Sequence, residues 1–131
     1  MADIQSLIRD GLSKDKRVLS LKAKYIREVG ARALAKAESL SSLQALDLSQ
    51  NNIGDEGVRA IADSPVFSNL RTLNLASNQI GDAGARYLAE SKHLKSLKTL
   101  QLVVNHITDE GEKALRTSKN LLNLSSVKFS L

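Results

Sequence analysis

Two histidines, His93 and His106, are the side chains in this sequence best suited to acid–base or metal chemistry. They stand at non-equivalent places in the pattern described below, and neither has a second His or Cys at the spacing of a metal site. The sequence contains no Cys, which removes thiolate ligands, disulfides and cysteine nucleophiles. No phosphate-binding loop, nucleophile elbow or paired-carboxylate site is readable. We therefore expect no catalytic residue, no metal and no cofactor, and a protein that is not an enzyme.

A second pattern consists of basic residues that each follow an acidic residue by four positions. The four pairs are Glu28 with Arg32, Asp55 with Arg59, Asp82 with Arg86, and Asp109 with Lys113. On a helix such pairs lie side by side and stabilise it by ~0.2–0.5 kcal/mol each. We interpret them as a neutralised helix surface rather than a basic binding stripe. The acid is also placed to cap its own helix, as we expect of Asp55.

Three asparagines, Asn51, Asn78 and Asn105, form a third pattern with a constant spacing. An asparagine amide both donates and accepts hydrogen bonds, so it can pair the backbone groups of a turn. Lys24 holds the corresponding position one unit earlier, and lysine has no acceptor. We predict a structural ladder of asparagines that stops one unit short of the N-terminal end.

All three patterns belong to one recurring frame, L-x-x-L-x-L-x-x-N. It reads LQALDLSQN at 43–51, LRTLNLASN at 70–78 and LKTLQLVVN at 97–105. A fixed period of this length predicts a solenoid, in which each unit buries its apolar face against its neighbours. Glycine recurs in the same register, as at Gly57 and Gly84, although it costs ~1 kcal/mol inside a helix. We predict that the helix there passes too close to the strand layer for a side chain.

Each unit predicts a strand, a turn, a helix and a return segment. Leu46 and Leu48 alternate with small or polar residues, as in a short strand with one buried face. We place full units at 16–42, 43–69, 70–96 and 97–123, and a terminal strand at 124–131. Apolar residues three and four apart in 1–15 predict an N-terminal capping helix. The whole chain, 1–131, is thus predicted as one α/β domain, a right-handed solenoid arc with a parallel sheet on its concave face.

The pattern over 16–131 resembles the leucine-rich repeat family. The run IGDEGVRAIA at 53–62 resembles its ribonuclease-inhibitor-like subtype, and NQIGDAGARYLA at 78–89 is similar to bacterial arrays of 27-residue units. The resemblance implies protein recognition, usually through the concave strand face, and it implies no catalytic residue. Members of the family serve as inhibitors, receptors, GTPase regulators and bacterial effectors.

The outward positions of the predicted strands are the candidate surface for a protein partner. They are small and polar, without the Trp, Tyr or Arg anchors that dominate strong interfaces. The candidate contact residues are Ser20, Lys22, Asp47, Ser49, Thr72, Asn74, Thr99, Gln101 and Lys128. An interface on the helices or at an end of the stack stays open as an alternative. Two other functions also stay open: the repeat portion of a larger bacterial effector, and an enzyme regulator such as a GTPase activator. A regulator that supplies a catalytic arginine needs it at an exposed rim position, and the candidate rim cations are Arg17, Arg71 and the in-register Lys98.

The predicted fifth strand is expected to be uncovered. Val127, Phe129 and Leu131 would lie on an edge whose unpaired backbone groups natural sheets rarely leave bare. We predict that a second copy of the chain closes this edge as a homodimer, or that a partner adds a strand or helix there.

The net charge of +5 is concentrated in residues 1–42, which hold nine Lys or Arg against five acids. No aromatic residues interleave with these charges to stack on bases, so we interpret them as a solvated end of the stack. No apolar run reaches the ~18 residues of a membrane span. We expect a cytoplasmic protein that binds neither nucleic acid nor membrane, or alternatively a secreted effector that acts in a host cytoplasm.

Overall fold

Five short strands form one parallel sheet in the computed structural model, which describes residues 3–131. The strands are β1 (Val18–Ser20), β2 (Ala45–Asp47), β3 (Thr72–Asn74), β4 (Thr99–Gln101) and β5 (Ser126–Lys128). Their order in the sheet follows their order in the chain. Each strand residue pairs with the residue 27 positions later, as Leu46 pairs with Leu73 and Leu73 with Leu100. Equivalent side chains therefore stand in straight rows across the sheet.

Helices make up the second layer. They are α1 (Ile4–Gly11), α2 (Arg27–Leu34), α3 (Gly54–Ala62), α4 (Asp82–Ala89) and α5 (Asp109–Arg116). Each of α2 to α5 connects two consecutive strands and packs on the helices of the neighbouring units. Parallel strands lie ~4.8 Å apart whereas packed helices need ~8–10 Å, so the stack curves with the sheet inside. The predicted α/β solenoid, with an N-terminal helix and a fifth strand, is confirmed.

The core between the two layers is almost entirely aliphatic. Leucines of the recurring frame, such as Leu43, Leu46 and Leu48, are fully or almost fully buried, and Ile53 fills the turn above them. Phe67 is the single large aromatic side chain that is completely buried among the described residues. A stack of near-identical layers needs side chains of one size, which explains the narrow composition of the core.

Helix α1 covers the first strand at the N-terminal end of the stack. Asp3 caps it, because its carboxylate accepts a hydrogen bond from the Ser6 N–H at 2.7 Å, and this bond lowers the pKa of the Asp3 carboxyl. At the other end of the helix, Leu12 forms an antiparallel bridge with Leu19 of β1. The helix thus replaces the layer that a preceding unit would supply.

The start of α4 is capped by the preceding unit, which differs from the expectation that Asp55 caps its own helix. Asp55 lies inside the first turn of α3. Its Oδ1 accepts hydrogen bonds from the N–H groups of Gly81 at 2.7 Å and Gly84 at 3.1 Å, at the start of α4. Asp82 likewise accepts from the N–H and hydroxyl of Thr108, just before α5, at 2.7 and 2.5 Å. Because each carboxylate serves the next helix, helix capping is coupled to the stacking of units.

Three of the four predicted acid–base pairs are wrong, two of them for the same reason. Glu28 and Arg32 do form an ion pair, at 2.9 Å. In the described residues 3–131, however, neither Arg86 nor Lys113 forms an ion pair, and Arg59 pairs with other acids, Glu56 and Asp63. Asp55 and Asp82 are directed to the neighbouring helix, where unpaired N–H groups attract a carboxylate more strongly than an exposed cation does.

The recurring glycines make room for the preceding helix, not for the strand layer as we expected. A Cβ atom at Gly84 would lie 2.7 Å from Asp55 Oδ1 and 2.6 Å from Ile80 Cγ2. A Cβ at Gly111 would lie 2.5 Å from Asp82 Oδ1 and 3.1 Å from the Ala85 Cβ. The glycine thus leaves the space through which the carboxylate of the previous unit reaches the helix N-terminus.

Candidate functional site

The candidate binding surface is the row of outward side chains on β1 to β5, which we call the strand face. One register row contains Ser20, Asp47, Asn74, Gln101 and Lys128. The adjacent row contains Val18, Ala45, Thr72, Thr99 and Ser126. All ten side chains are exposed or half-buried, and the residue between the rows on each strand faces the core. The strand face is therefore mostly polar and has no aromatic anchor, and at β1 to β3 it holds a cavity of about 320 Å³ lined in part by Val18 and Ala45.

Three neighbouring side chains at the centre of the strand face are held by the same local hydrogen bond. The side-chain oxygens of Asp47, Asn74 and Gln101 each accept from the backbone N–H two residues later, at 2.9, 3.0 and 3.2 Å. These bonds fix the side chains as the strand ends. The NH₂ groups of Asn74 and Gln101 make no hydrogen bond with any residue in 3–131, so they remain for a partner or water.

Not every predicted contact residue lies on this surface. Ser49 is 5% exposed, and its hydroxyl donates to Asp47 Oδ1 at 2.7 Å, so the prediction that it is a surface contact is wrong. The strand ends at Asp47 and the chain turns inward before Ser49. Lys22 is exposed but lies in the turn after β1, beyond the end of the sheet row. Ser20, Thr72, Thr99 and Lys128 are exposed strand residues.

The asparagines at the turns connect adjacent units through their side chains. Asn78 Oδ1 accepts from the N–H groups of Asn51 and Ile53 in the preceding unit, at 3.0 and 3.2 Å. Its Nδ2 donates to the carbonyls of Leu48 and Ala76 at 2.9 and 3.1 Å.

Asn105 and Asn51 repeat this arrangement one unit later and one unit earlier. Asn105 accepts from Asn78 and Ile80, and Asn51 accepts from Lys24 and Ile26. The turn that contains Lys24 thus receives its acceptor from Asn51 of the following unit.

The rim cations lie at the edge where the strands begin. Arg17, Arg71 and Lys98 are exposed and directly precede β1, β3 and β4. Arg17 and Arg71 line a cavity of about 420 Å³ together with Asp15 and Gln44. Within residues 3–131 none of the three cations forms an ion pair with an acid. Hydrogen bonds from the Ser13 hydroxyl and the Arg17 N–H lower the pKa of the Asp15 carboxyl.

The C-terminal edge is only partly covered. Val127 and Phe129 are half-buried against the core, and the Arg116 guanidinium lies 5.3 Å from the centre of the Phe129 ring. Leu131 is 96% exposed, and Leu122 beside this end is 81% exposed. By the register of β4 and β5, the N–H and C=O of Val127 point away from the sheet.

Sequence reasoning missed a basic cavity between the last two return segments. It is an open cavity of about 420 Å³, and its lining includes three lysines and an exposed leucine: Lys92, Lys95, Lys119 and Leu122. The signal was present in the repeat register, because Lys92 and Lys119 hold the same position in consecutive units, as do Lys95 and Leu122.

In residues 3–131 no group of three or more His, Cys, Asp or Glu side chains is placed to hold a metal ion. None of the helices described there has the length and apolar character needed to cross a bilayer.

The comparisons with known proteins agree with this architecture. A family model described as leucine-rich repeat matches residues 39–62, 68–89 and 93–115, which together make up more than half of the chain. Each match ends within or at the end of α3, α4 or α5 and includes the strand before it. No curated protein matches the chain. The chain, with its parallel sheet, backing helices and matched repeats, belongs to the leucine-rich repeat family.

Proposed function

We propose that this protein is a non-enzymatic module that binds a partner protein through its strand face. Leucine-rich repeat domains generally mediate protein–protein interaction, which supports the general class. The observation that carries the choice of surface is the in-register row containing Asp47, Asn74 and Gln101, whose side chains are already ordered by backbone hydrogen bonds. Side chains that are ordered before binding lose less conformational entropy when a partner arrives.

The chemistry of the row favours a polar, hydrogen-bonding partner surface. Asp47 keeps its second carboxylate oxygen as an acceptor, while Asn74 and Gln101 offer NH₂ donors. Thr72 and Thr99 add hydroxyl groups in the adjacent row. With no aromatic or arginine anchor, such a surface is suited to a wet interface of moderate affinity.

The test is partner capture by the triple variant Asp47→Lys, Asn74→Lys, Gln101→Lys. Three lysines at the centre of the strand face replace hydrogen-bonding groups with charges, so we expect the immobilised variant to lose the partner that the parent captures from the source organism's lysate. The matched control is Glu90→Lys, Glu110→Lys, which adds the same four positive charges. Both residues are exposed and lie outside the strand face.

Circular dichroism and urea unfolding of both variants establish that they are folded before capture is compared. Loss of the partner only in the strand-face variant supports the proposal. Capture that survives in a folded strand-face variant contradicts it and moves the interface to the helices or an end of the stack. A captured partner that is an enzyme or GTPase would favour the regulator alternative, in which Arg17 and Arg71 are the residues to replace next.

We assign the repeats to the ribonuclease-inhibitor-like subtype with 27-residue units. The support is the repeated turn–helix run, in which the Asp reaches the next helix and the Gly leaves room for the Asp of the previous one. A helix that receives its capping carboxylate from the preceding unit, as at the starts of α4 and α5, requires this Asp and Gly at constant spacing. A bacterial origin, a cytoplasmic location and the lack of nucleic-acid and membrane partners are further parts of this proposal. The alternative is the repeat portion of a larger, secreted bacterial effector that acts in a host cytoplasm.

We also propose that β5 is closed by a second copy of the chain. The N–H and C=O of Val127 on the outer edge offer hydrogen bonds, and Phe129 and Leu131 offer apolar surface next to them. Sedimentation equilibrium over a range of concentrations is expected to show a dimer that Phe129→Lys dissociates. A parent protein that stays monomeric at every concentration would rule out the dimer.

A further inference from the structure

The return segments 63–71, 90–98 and 117–125 form the edge of the stack from which the strands start, which we call the return edge. This edge is basic. It carries Arg71, Lys92, Lys95, Lys98 and Lys119 against Asp63 and Glu90. No basic side chain of this edge forms an ion pair among the described residues 3–131. Unpaired cations concentrated on one edge create a positive potential that attracts acidic groups.

The lysine-lined cavity lies on this edge, between the segments 90–98 and 117–125. Lys92 and Lys119 stand at equivalent positions of consecutive units, as do Lys95 and Leu122, so the four side chains form two short rows. Asn120 and Asn123 complete the lining. Leu122 is 81% exposed, although its neighbour Leu121 is buried in the core.

The two segments that form the cavity are fixed by hydrogen bonds to the preceding units. The Ser91 hydroxyl donates to the Ala62 carbonyl at 2.6 Å, and the Ser118 hydroxyl donates to the Ala89 carbonyl at 2.5 Å. The Asn123 Nδ2 donates to the Lys95 carbonyl at 2.6 Å and so joins the two segments directly. The backbone that carries the lysines is therefore ordered before any ligand binds, which reduces the entropy lost on binding.

The composition of the cavity favours an acidic peptide over a nucleic acid. The segments 90–98 and 117–125 contain no Phe, Tyr or Trp on which bases could stack. A phosphate backbone also has no apolar group to place on Leu122. An acidic peptide with one aliphatic residue has both features, because its carboxylates can pair with the lysines while the aliphatic side chain covers the leucine.

We propose that this cavity binds an acidic segment of a partner protein, with an aliphatic side chain of that segment on Leu122 and carboxylates on Lys92, Lys95 and Lys119. The cavity lies away from the strand face. The two surfaces share no residue, so each is tested by its own variants.

The test measures fluorescence anisotropy with labelled peptides at low and high salt. The first peptide has a central leucine with three glutamates on each side, and the second has serine in place of the leucine. We expect the leucine peptide to bind about fivefold more tightly, because part of the aliphatic surface is buried on Leu122. Both affinities are expected to fall as salt is raised, since the ion pairs are exposed.

Two variants of equal charge decide whether the cavity is responsible. The triple variant Lys92→Gln, Lys95→Gln, Lys119→Gln is expected to bind the leucine peptide roughly eightfold more weakly, because each lost ion pair costs about twofold in affinity. The control Lys24→Gln, Arg86→Gln, Lys113→Gln removes the same charge from exposed positions outside the return edge and is expected to keep the affinity within about twofold. Leu122→Ser is expected to remove the preference for leucine over serine.

Three results would overturn the proposal. The first is equal weakening by the two charge variants, which would indicate attraction to the net charge alone. The second is an unchanged preference for the leucine peptide in Leu122→Ser. The third is tighter binding of a single-stranded DNA of matched charge than of the leucine peptide, which would make the edge a nucleic-acid surface.

Discussion

Asn78→Ala removes only a small side chain but is expected to destabilise the protein strongly. Asn78 is fully buried, and its side chain makes four hydrogen bonds that join two units. Alanine removes all four bonds at once without adding volume. The free energy of unfolding should therefore fall by more than it does for an exposed substitution, which typically changes it by less than ~0.5 kcal/mol.

The magnitude follows from which partners of Asn78 lose their only hydrogen bond. The Leu48 carbonyl keeps the Asn51 Nδ2 donor at 3.0 Å, and the Ala76 carbonyl keeps the Gln50 N–H at 2.9 Å. The buried N–H groups of Asn51 and Ile53 have no such second partner in residues 3–131. An unpaired buried donor costs about 1–3 kcal/mol. Two of them give a loss of roughly 2–6 kcal/mol, and entry of water to the turn favours the lower part of that range.

Urea unfolding followed by circular dichroism measures this loss. With a urea dependence of ~2 kcal/mol per molar, a loss of about 3 kcal/mol lowers the midpoint by about 1.5 M. Asn105→Ala is expected to lower the midpoint less, because Asn105 is only half-buried and water can replace its amide. The control Lys24→Asn changes an exposed side chain at the equivalent position and should be neutral or slightly stabilising.

The outcome that would refute this reasoning is an Asn78→Ala midpoint equal to that of the parent. It would mean that the backbone of the turns is paired by other means and that the asparagine ladder does not hold the units together. A loss as large in Asn105→Ala as in Asn78→Ala would contradict the part of the argument that depends on burial.

Two further predictions concern the contact between adjacent helices. Hydrogen bonds from the Thr108 hydroxyl and N–H lower the pKa of the Asp82 carboxyl below its ordinary 3.8, so the folded state binds this proton less readily than the unfolded state. The stabilisation is present above pH ~4 and is lost as the pH falls through the pKa of the folded state. The urea midpoint of Asp82→Asn should therefore change less between roughly pH 5 and pH 3 than that of the parent. An equal change of midpoint with pH in the two proteins would contradict this. Gly84→Ala should lower the free energy of unfolding, and with it the urea midpoint. Overpacking against Asp55 and Ile80 costs about 1–3 kcal/mol, whereas alanine by itself favours a helix by ~1 kcal/mol. An increase in stability would show that α3 and α4 can separate at no cost.

The architecture could be predicted because each unit carries a local signal that its neighbours repeat. The alternation at Leu46 and Leu48 predicts a strand, and the same alternation at Leu73 and Leu75 predicts the next. A constant spacing then leaves one way to align the strands, which is the observed register. Burial of the asparagine at the turn follows from the same frame.

The direction of the acidic side chains could not be predicted from the sequence. Spacing along one helix shows that Asp55 and Arg59 are neighbours, and this suggested an ion pair. It does not show that the N–H groups of Gly81 and Gly84 compete for the same carboxylate, because they come from the next unit and approach only after stacking. Interactions between layers depend on the packing distance, which a sequence pattern does not contain.

The strand face and the basic cavity also differ in how far the sequence predicts them. The strand rows follow from alternation, except where the strand ends, and Ser49 was misplaced because the chain turns inward after Asp47. The basic cavity is formed by return segments without regular structure, whose conformation is set by side-chain hydrogen bonds such as that of Ser91 to Ala62. Such bonds connect residues of different units, so the repeat register shows which lysines align but not that they line a cavity.

The most direct measurement of the central claim is site-specific photo-crosslinking from the strand face. A photoreactive side chain at position 74, in the middle of β3, is compared with the same side chain at position 79, which is exposed in the following turn. We expect position 74 to crosslink a partner protein in the source organism's lysate and position 79 to give none. A partner that crosslinks to position 79 and not to position 74 would contradict binding through the strand face.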